Sequence, residues 1–251
     1  MEKYAAVILA AGKGTRMGNA EGSDIPKVMF KMAGKPIIDH SVKLIKDAGV
    51  NKVVLVVGYK QEMIREYFND KVIYAVQEQQ LGTGHAAMMA QEALKGEAKE
   101  VIVFYGDSPM YRPDTVKRLM EEHEKNNATI SMLTVVSPED RDLTGYGRII
   151  RDEDGEALGI KEHKDCNDEE RKIREWNPGF YIFDGEWLWD NFAKLKTDNV
   201  QNEYYLTDMI EIAKQQGNKV IAIPVLHESE ALGINTQDQL KIAEEALLGR
   251  R

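Results

Sequence analysis

The sequence predicts an α/β fold: a Rossmann-like, doubly wound, mostly parallel sheet followed by a small mixed β lobe. Three observations carry this. Short apolar, β-branched runs recur at Val7–Leu9, Val53–Val57, Val72–Val76 and Val101–Phe104, the pattern of buried strands. Helical patterns fall between them, and such alternation argues a sheet covered on both faces. Past Val136 the alternation gives way to paired strand signals.

The elements follow in order. Val7–Leu9 is apolar and ends at Gly12 and Gly14. Ile38, Val42 and Ile45 mark one helix face, and Met63, Ile64 and Tyr67 another, at the spacing of one helical stripe. A third helix spans about Gly84 to Leu94, and Pro113 opens a fourth. In the second half, Thr144 to Ile150 leads to Asp154-Gly155, a hairpin signal, and Ala157 to Glu162 returns as the second arm. Gly179 to Phe183 is a further strand. Trp187 to Leu195 and Tyr205 to Gln216 are helical, and Val220 to Val225 is a strand. Thr236 to Leu248 is an end helix with Thr236 as its N-cap. No fixed-period repeat interrupts the chain.

Composition bounds the function. The chain has 251 residues, 43% of them hydrophobic, enough to bury a sizeable core. A net charge of -9 argues against a nucleic-acid polymer as partner, while a nucleotide needs only a local group of cations. Cys166 is the sole cysteine, which excludes an intrachain disulfide and a multi-cysteine metal site. The longest N-terminal apolar run, Ala5 to Ala11, is too short to span a membrane and no cleavable signal is evident. A soluble cytoplasmic protein with no membrane partner is expected.

In open α/β sheets, ligands sit at the carboxyl ends of the strands, and the polar residues fall there. Gly12 and Gly14 let backbone N–H groups approach an anion, and Lys13, Arg16 and Lys27 add three cations. This fits a triphosphate cradle; it also fits an ordinary strand-to-helix turn with solvated cations. The loop is neither a Walker A motif nor a dinucleotide fingerprint. Gln77 offers a donor and an acceptor side by side, complementary to a uracil edge, and Gly82 can bring backbone groups to the base; a polar strand end with a glycine turn is the other reading. Asp107 fits a ligand for a hard cation bound with phosphates, or a turn aspartate capping the helix after Pro113. Gly147, Glu162, Asn177 and Asn235 each stand beside an apolar segment, where turn residues are also common.

Two separated blocks carry a family resemblance. Leu9 to Met17 reads L-A-A-G-x-G-T-R-M, and Pro26 to Val28 reads P-K-V. This resembles the signature of the sugar-1-phosphate nucleotidyltransferases. Further blocks follow in one order: Q-L-G-T-G-H-A from Gln80, Y-G-D from Tyr105, T-G-Y-G-R-I from Thr144, E-H-K-D from Glu162, N-x-G from Asn177, E-Y-Y-L-T-D from Glu203 and G-I-N from Gly233. From about Tyr4 to Asn235 the chain looks like the uridyltransferase domains of the bacterial bifunctional N-acetylglucosamine-1-phosphate uridyltransferases/acetyltransferases.

The resemblance implies one nucleotidyltransferase domain over 1–251, with a nucleotide half (1–136), a sugar half (137–235) and a C-terminal helix (236–251). It implies UTP and N-acetylglucosamine 1-phosphate as substrates, with Mg²⁺ as cofactor. Leu9, Ala11, Gly12, Gln77, Gly82 and Thr83, with Tyr105 and Gly106 beside them, meet the nucleotide. Arg16 and Lys27 act catalytically on the triphosphate, Asp107 and Asn235 hold the metal, and Gly147, Glu162, Asn177 and Thr207 hold the sugar. Another hexose 1-phosphate, or a nucleotide-sugar-binding module without turnover, are the alternatives. Three departures from the family pattern stand out: a longer loop from Gly18 to Ile25, Pro178 where threonine is usual, and no β-helix acetyltransferase domain before Arg251. The last predicts no acetyl transfer, and a monomer or weak dimer in place of a trimer.

Overall fold

In a computed structural model of the chain, residues 1–12, 14, 17 and 25–249 are described. β1 (Glu2–Leu9) leads to a small hairpin, β2 (Lys31–Met32) and β3 (Lys35–Pro36). Then α1 (Ile37–Asp47), β4 (Lys52–Val57), α2 (Gln61–Phe68) and β5 (Ile73–Val76) alternate as expected. The third helix is broken in two, α3 (Thr83–Met88) and α4 (Gln91–Leu94). At the break, Met89 and Ala90 donate their N–H groups three residues back, a tightened turn that ends α3. β6 (Ala98–Tyr105), α5 (Pro113–Asn126) and β7 (Ile130–Val136) complete the first half.

The second half holds the hairpin β8 (Gly147–Arg151) and β9 (Ala157–Lys161), closed at Gly155 with φ +81°. After it come α6 (Asp168–Lys172), β10 (Glu175–Asn177), β11 (Phe180–Asp184), α7 (Gly185–Asn191), α8 (Asp208–Gln215), β12 (Val220–Pro224) and α9 (Gln237–Leu248). Thr236 caps α9, its side chain accepting the Gln239 N–H. Two elements had no readable signal. α6 buries no residue, so it has no apolar stripe, and β10 is three residues long.

Among the described residues, one ten-stranded sheet runs β5-β4-β1-β6-β11-β7-β10-β8-β9, with β12 on β7. The first four strands are parallel, and β11, β10, β8 and β9 pair antiparallel. β7 is shared along its length: Ile130 to Met132 pair with β11 and Ile130 to Thr134 with β12, while Val135 and Val136 pair with β10. The lobe therefore peels away from the main sheet after Thr134. Period-2 alternation in β1 sends Tyr4, Ala6 and Ile8 into a core with α1 and α5, and Ala5 and Val7 into one with α3, α7 and α8. Both faces are covered. Among the described residues, no helix is long and apolar enough to cross a membrane.

The topology fixes where a site can form. The chain leaves β1 for β4 and β5 on one side, then returns to β6 on the other. Leu9 lies in register with Val56 and with Tyr105, so the loops after β1 and β6 diverge from one edge. That divergence is the topological switch point at which open α/β sheets open a crevice.

Candidate active site

Two clefts meet at this edge. The first, about 250 Å³, lies among the loop after β1, the start of α3 and Gln77. The second, about 510 Å³, lies between the loop 141–147, the Asn177-Pro178 turn and the segment 231–239. Lys27, Tyr105 and Asp107 line both and form the wall between them.

Leu9, Ala11, Gly12, Gln77, Gly82 and Thr83, which the resemblance assigns to the nucleotide, together line the first cleft. Gln77 is buried, and its amide nitrogen lies 3.1 Å from both the Gly82 carbonyl and His85 Nδ1. One of its amide protons is thus spent on the Gly82 carbonyl, and the amide nitrogen faces the loop. The loop 81–84 is strapped by the segment 203–206. Tyr204 donates its N–H to the Leu81 carbonyl (2.8 Å), Gly84 donates to the Tyr204 carbonyl (2.7 Å), and Leu206 donates to Thr83 Oγ1 (3.0 Å). This explains why the helix read from Tyr205 starts at Asp208: the backbone before it is engaged with the loop. Two motif blocks far apart in sequence make one wall. Gln80 and Glu203 also line the cleft, and Gln80 donates to the Ala11 carbonyl at 2.7 Å. Both sat inside motif blocks already singled out, but polarity alone did not mark them.

Gly82 has φ +109°, and a Cβ there would lie 2.5 Å from the Tyr204 carbonyl oxygen. Gly82→Ala is expected to cost roughly 1–3 kcal/mol of stability and to raise the nucleotide KM more than that of the second substrate. Thermal unfolding with two KM measurements checks this; equal rises in both would detach the loop from nucleotide binding. Gly106 lies behind the cleft. Its N–H donates to the Leu9 carbonyl (2.9 Å) and its carbonyl accepts from Ser41 Oγ (3.0 Å), so its backbone joins β1, β6 and α1 and does not face the cleft. A Cβ at Gly106 would meet Ile38 at 2.8 Å.

At the shared wall, Lys27 Nζ pairs with Asp107 Oδ2 and donates to Asn235 Oδ1 (3.0 Å). Ser108 Oγ donates to the other Asp107 oxygen at 3.4 Å, and Ile234 N–H donates to the Asp107 carbonyl at 2.8 Å. Asn235 N–H donates to Gln239 Oε1 (2.7 Å), which ties it to α9. Lys27 packs over Gly14: with φ +67° there, an added Cβ would fall 2.4 Å from Lys27 Cβ. The two signature blocks are therefore in contact. Arg16, read as catalytic, and Lys13 lie outside the described residues. One carboxylate oxygen and one amide oxygen thus converge on a point where an ammonium sits as a stand-in cation. The donors are hard oxygens, as Mg²⁺ prefers, and two protein ligands suit an ion that keeps waters and shares substrate phosphates. Among the described residues no cluster of three or more His, Cys, Asp or Glu forms a metal cage.

Gly147, Glu162 and Asn177 line the second cleft, together with Pro178. Asn177 Oδ1 accepts the Gly179 N–H (3.0 Å) and its Nδ2 donates to Tyr181 OH (2.6 Å), while Tyr111 OH donates to the Pro178 carbonyl (3.2 Å). Gly179, at φ +80°, leaves room for the Tyr105 ring, which an added Cβ would meet at 1.9 Å. The turn is strapped from three sides, so Asn177 has one amide proton and one lone pair left for a ligand. Thr207 does not line the cleft: it is buried behind it and donates to Glu162 Oε1 at 3.2 Å. It orients Glu162 from beneath. Burial pushes the Glu162 carboxyl up, the Thr207 hydroxyl works against this, and Asp165, Asp208 and Glu203 add to the rise.

Asp208, beneath the same floor, is pushed up to about 6 by burial first, then by Glu211 and Asp165. A carboxyl raised in the fold above its ordinary value near 4 destabilises the fold once ionised. Stability is therefore lost as pH rises from about 4 to about 6, and stays lost above. Asp208→Asn is expected to raise Tm at pH 8 and to leave it unchanged near pH 4. Equal shifts at both pH values would show that ionisation is not the cause.

Comparison with known proteins gives the following. Residues 5–228 match the family model described as nucleotidyl transferase. The chain is 46% identical over 240 residues to the bifunctional protein GlmU of Clostridium botulinum (strain ATCC 19397 / Type A), covering 95% of this chain and 51% of that one. It is 43% identical over 245 residues to the bifunctional protein GlmU of Exiguobacterium sibiricum, covering 98% and 53%. The chain thus spans about half the length of these relatives. A crystal structure of a UDP-glucose pyrophosphorylase complexed with UDP-glucose superposes with a TM-score of 0.79 at 19% identity, covering 100% of both chains. That likeness concerns the fold.

Proposed function

The chain belongs to the nucleotidyl transferase family, and on that premise we propose that it transfers a uridylyl group from UTP to N-acetylglucosamine 1-phosphate, releasing pyrophosphate. One observation carries the reading: two clefts of unequal size meet at a wall that holds a lysine, a carboxylate and a phenol. A nucleotide in the first cleft and a sugar phosphate in the second would bring their phosphates together at Lys27 and Asp107.

The nucleophile in such a reaction is a phosphate oxygen of the sugar 1-phosphate, already ionised at neutral pH, so no general base is needed. It forms a bond to the α-phosphorus as the bond from that phosphorus to the bridging oxygen breaks, and pyrophosphate leaves with the electron pair. The difficulty is to align two anions that repel and to neutralise charge between them. Lys27 supplies a positive charge at the seam. Asp107 and Asn235 would hold Mg²⁺, which supplies further neutralisation of the phosphates. The strapped loop 81–84 fixes the base, and the Asn177-Pro178 turn with Glu162 fixes the sugar. Such fixing of both reactants converts an encounter into an in-line displacement without a covalent intermediate.

The test is a pyrophosphate-release assay over a grid of nucleoside triphosphates and sugar 1-phosphates. The highest kcat/KM is expected for UTP with N-acetylglucosamine 1-phosphate. No release with any pair would sink the transferase reading for this chain. A higher value with glucose 1-phosphate would overturn the choice of sugar.

A further inference from the structure

We propose that Glu230 is a positioning residue that sets the separation of Asp107 and Asn235 without touching either; this rests on the reading that those two residues hold the divalent cation. Glu230 is fully buried, and the ion pair to Arg141 is made by its neighbour Glu228. Glu230 Oε2 accepts the backbone N–H of Arg112 (3.1 Å) and the hydroxyl of Thr115 (2.5 Å). Those groups open α5, whose own N-cap residue, Arg112, makes no side-chain cap. One backbone N–H and one hydroxyl from the start of α5 thus meet Oε2, while the buried Oε1 has no hydrogen-bond partner among the described residues.

The consequence is connective. The chain 107–112 runs from the end of β6 to the start of α5, so Asp107 stands at one end of a short segment and the Glu230 contact at the other. The chain 230–235 runs from that same contact to Asn235, which is then anchored through Gln239. The segments are closed a second time by the bond from Ile234 N–H to the Asp107 carbonyl. Glu230 is thus the far tie of a loop whose near end carries both candidate cation ligands. Removing it takes away the tie between this arm and the start of α5, while Glu228 still holds the segment to Ser137 and Arg141.

The experiment measures Mn²⁺ binding by electron paramagnetic resonance in the presence of UTP, the Mg²⁺ concentration for half-maximal pyrophosphate release, and Tm. It compares the unaltered 251-residue chain with Glu230→Ala, Glu230→Gln, Thr115→Val and Asp107→Ala. Glu230→Ala is expected to weaken Mn²⁺ binding and raise the half-saturating Mg²⁺ by about 10-fold or more, the scale seen when an outer partner of a metal ligand is lost. The KM for the sugar phosphate should stay unchanged. Glu230→Gln keeps the acceptor oxygen and should stay within about threefold of the original, and Thr115→Val should fall between the two. A folded Glu230→Ala with unchanged Mn²⁺ affinity overturns the proposal. Should that variant fail to fold, unchanged Mn²⁺ affinity in Thr115→Val overturns it equally. If the unaltered chain binds no Mn²⁺, or Asp107→Ala binds it as well as the unaltered chain, the cation reading itself has failed. If Asp107→Ala alone loses Mn²⁺, only the role of Glu230 is refuted.

Discussion

Asp107→Ala is expected to lower kcat by on the order of 10²-fold or more, the loss typical when one charged group is taken from a phosphoryl-transfer site, while the fold persists. The two halves of this expectation have separate causes. The side chain stands on the wall shared by both clefts, paired with Lys27 and facing Asn235 across it. Losing it removes the one carboxylate among the candidate cation ligands. The structural ties of residue 107 are made by its backbone, through the Ile234 N–H and the turn from Tyr105 to Ser108, and alanine keeps both. The side chain is 18% exposed and that of Lys27 15%, so the pair is mostly buried and its loss leaves the ammonium with less compensation. Tm should therefore fall, while the chain still folds. The decisive measurement is turnover against Mg²⁺ concentration. Normal turnover at limiting Mg²⁺ would show that Asp107 is not a metal ligand. Asp107→Asn keeps the shape without the charge and separates the two contributions.

The parts legible in the sequence were those set by periodicity and by glycine. The parallel half follows from apolar runs and helical stripes because both faces of that sheet are buried. The lobe was legible only where a hairpin turn announced it. α6 carries no apolar face and β10 is too short to show alternation, so neither had a signal. At the site, motif order identified residues near the clefts, but it could not tell which way each one faces. Gly106 and Thr207 illustrate this: both sit in motif blocks, one packed against α1 and the other beneath Glu162. Gln80 and Glu203, inside motif blocks, and Arg141, outside them, line the clefts unmarked by their polarity, because a polar residue in a loop reads the same whether it faces a cleft or solvent. Glu230 was hidden for a related reason. It lies in an acidic stretch that suggests exposure, and only the α5 terminus packed on it shows that it is buried.

Lys27→Ala is expected to have two effects of opposite sign. Turnover should fall by about 10² to 10³-fold, mainly in kcat, because a point charge at the seam counts most where charge develops between the two substrates. Metal binding in the absence of nucleotide should become tighter. In the resting site Lys27 Nζ occupies the point on which Asp107 Oδ2 and Asn235 Oδ1 converge, so the ammonium and a divalent cation compete for the same oxygens. Removing the ammonium leaves a carboxylate 18% exposed and without its cation partner, which favours a replacement cation. Lys27→Arg should not restore turnover, since a planar fork cannot replace a compact ammonium between those two oxygens. Steady-state kinetics give the first effect, and Mn²⁺ titration of the nucleotide-free protein gives the second. A change in KM alone would reduce Lys27 to a ground-state contact. Weaker Mn²⁺ binding in the variant would mean that the lysine supports the cation site and does not compete for it.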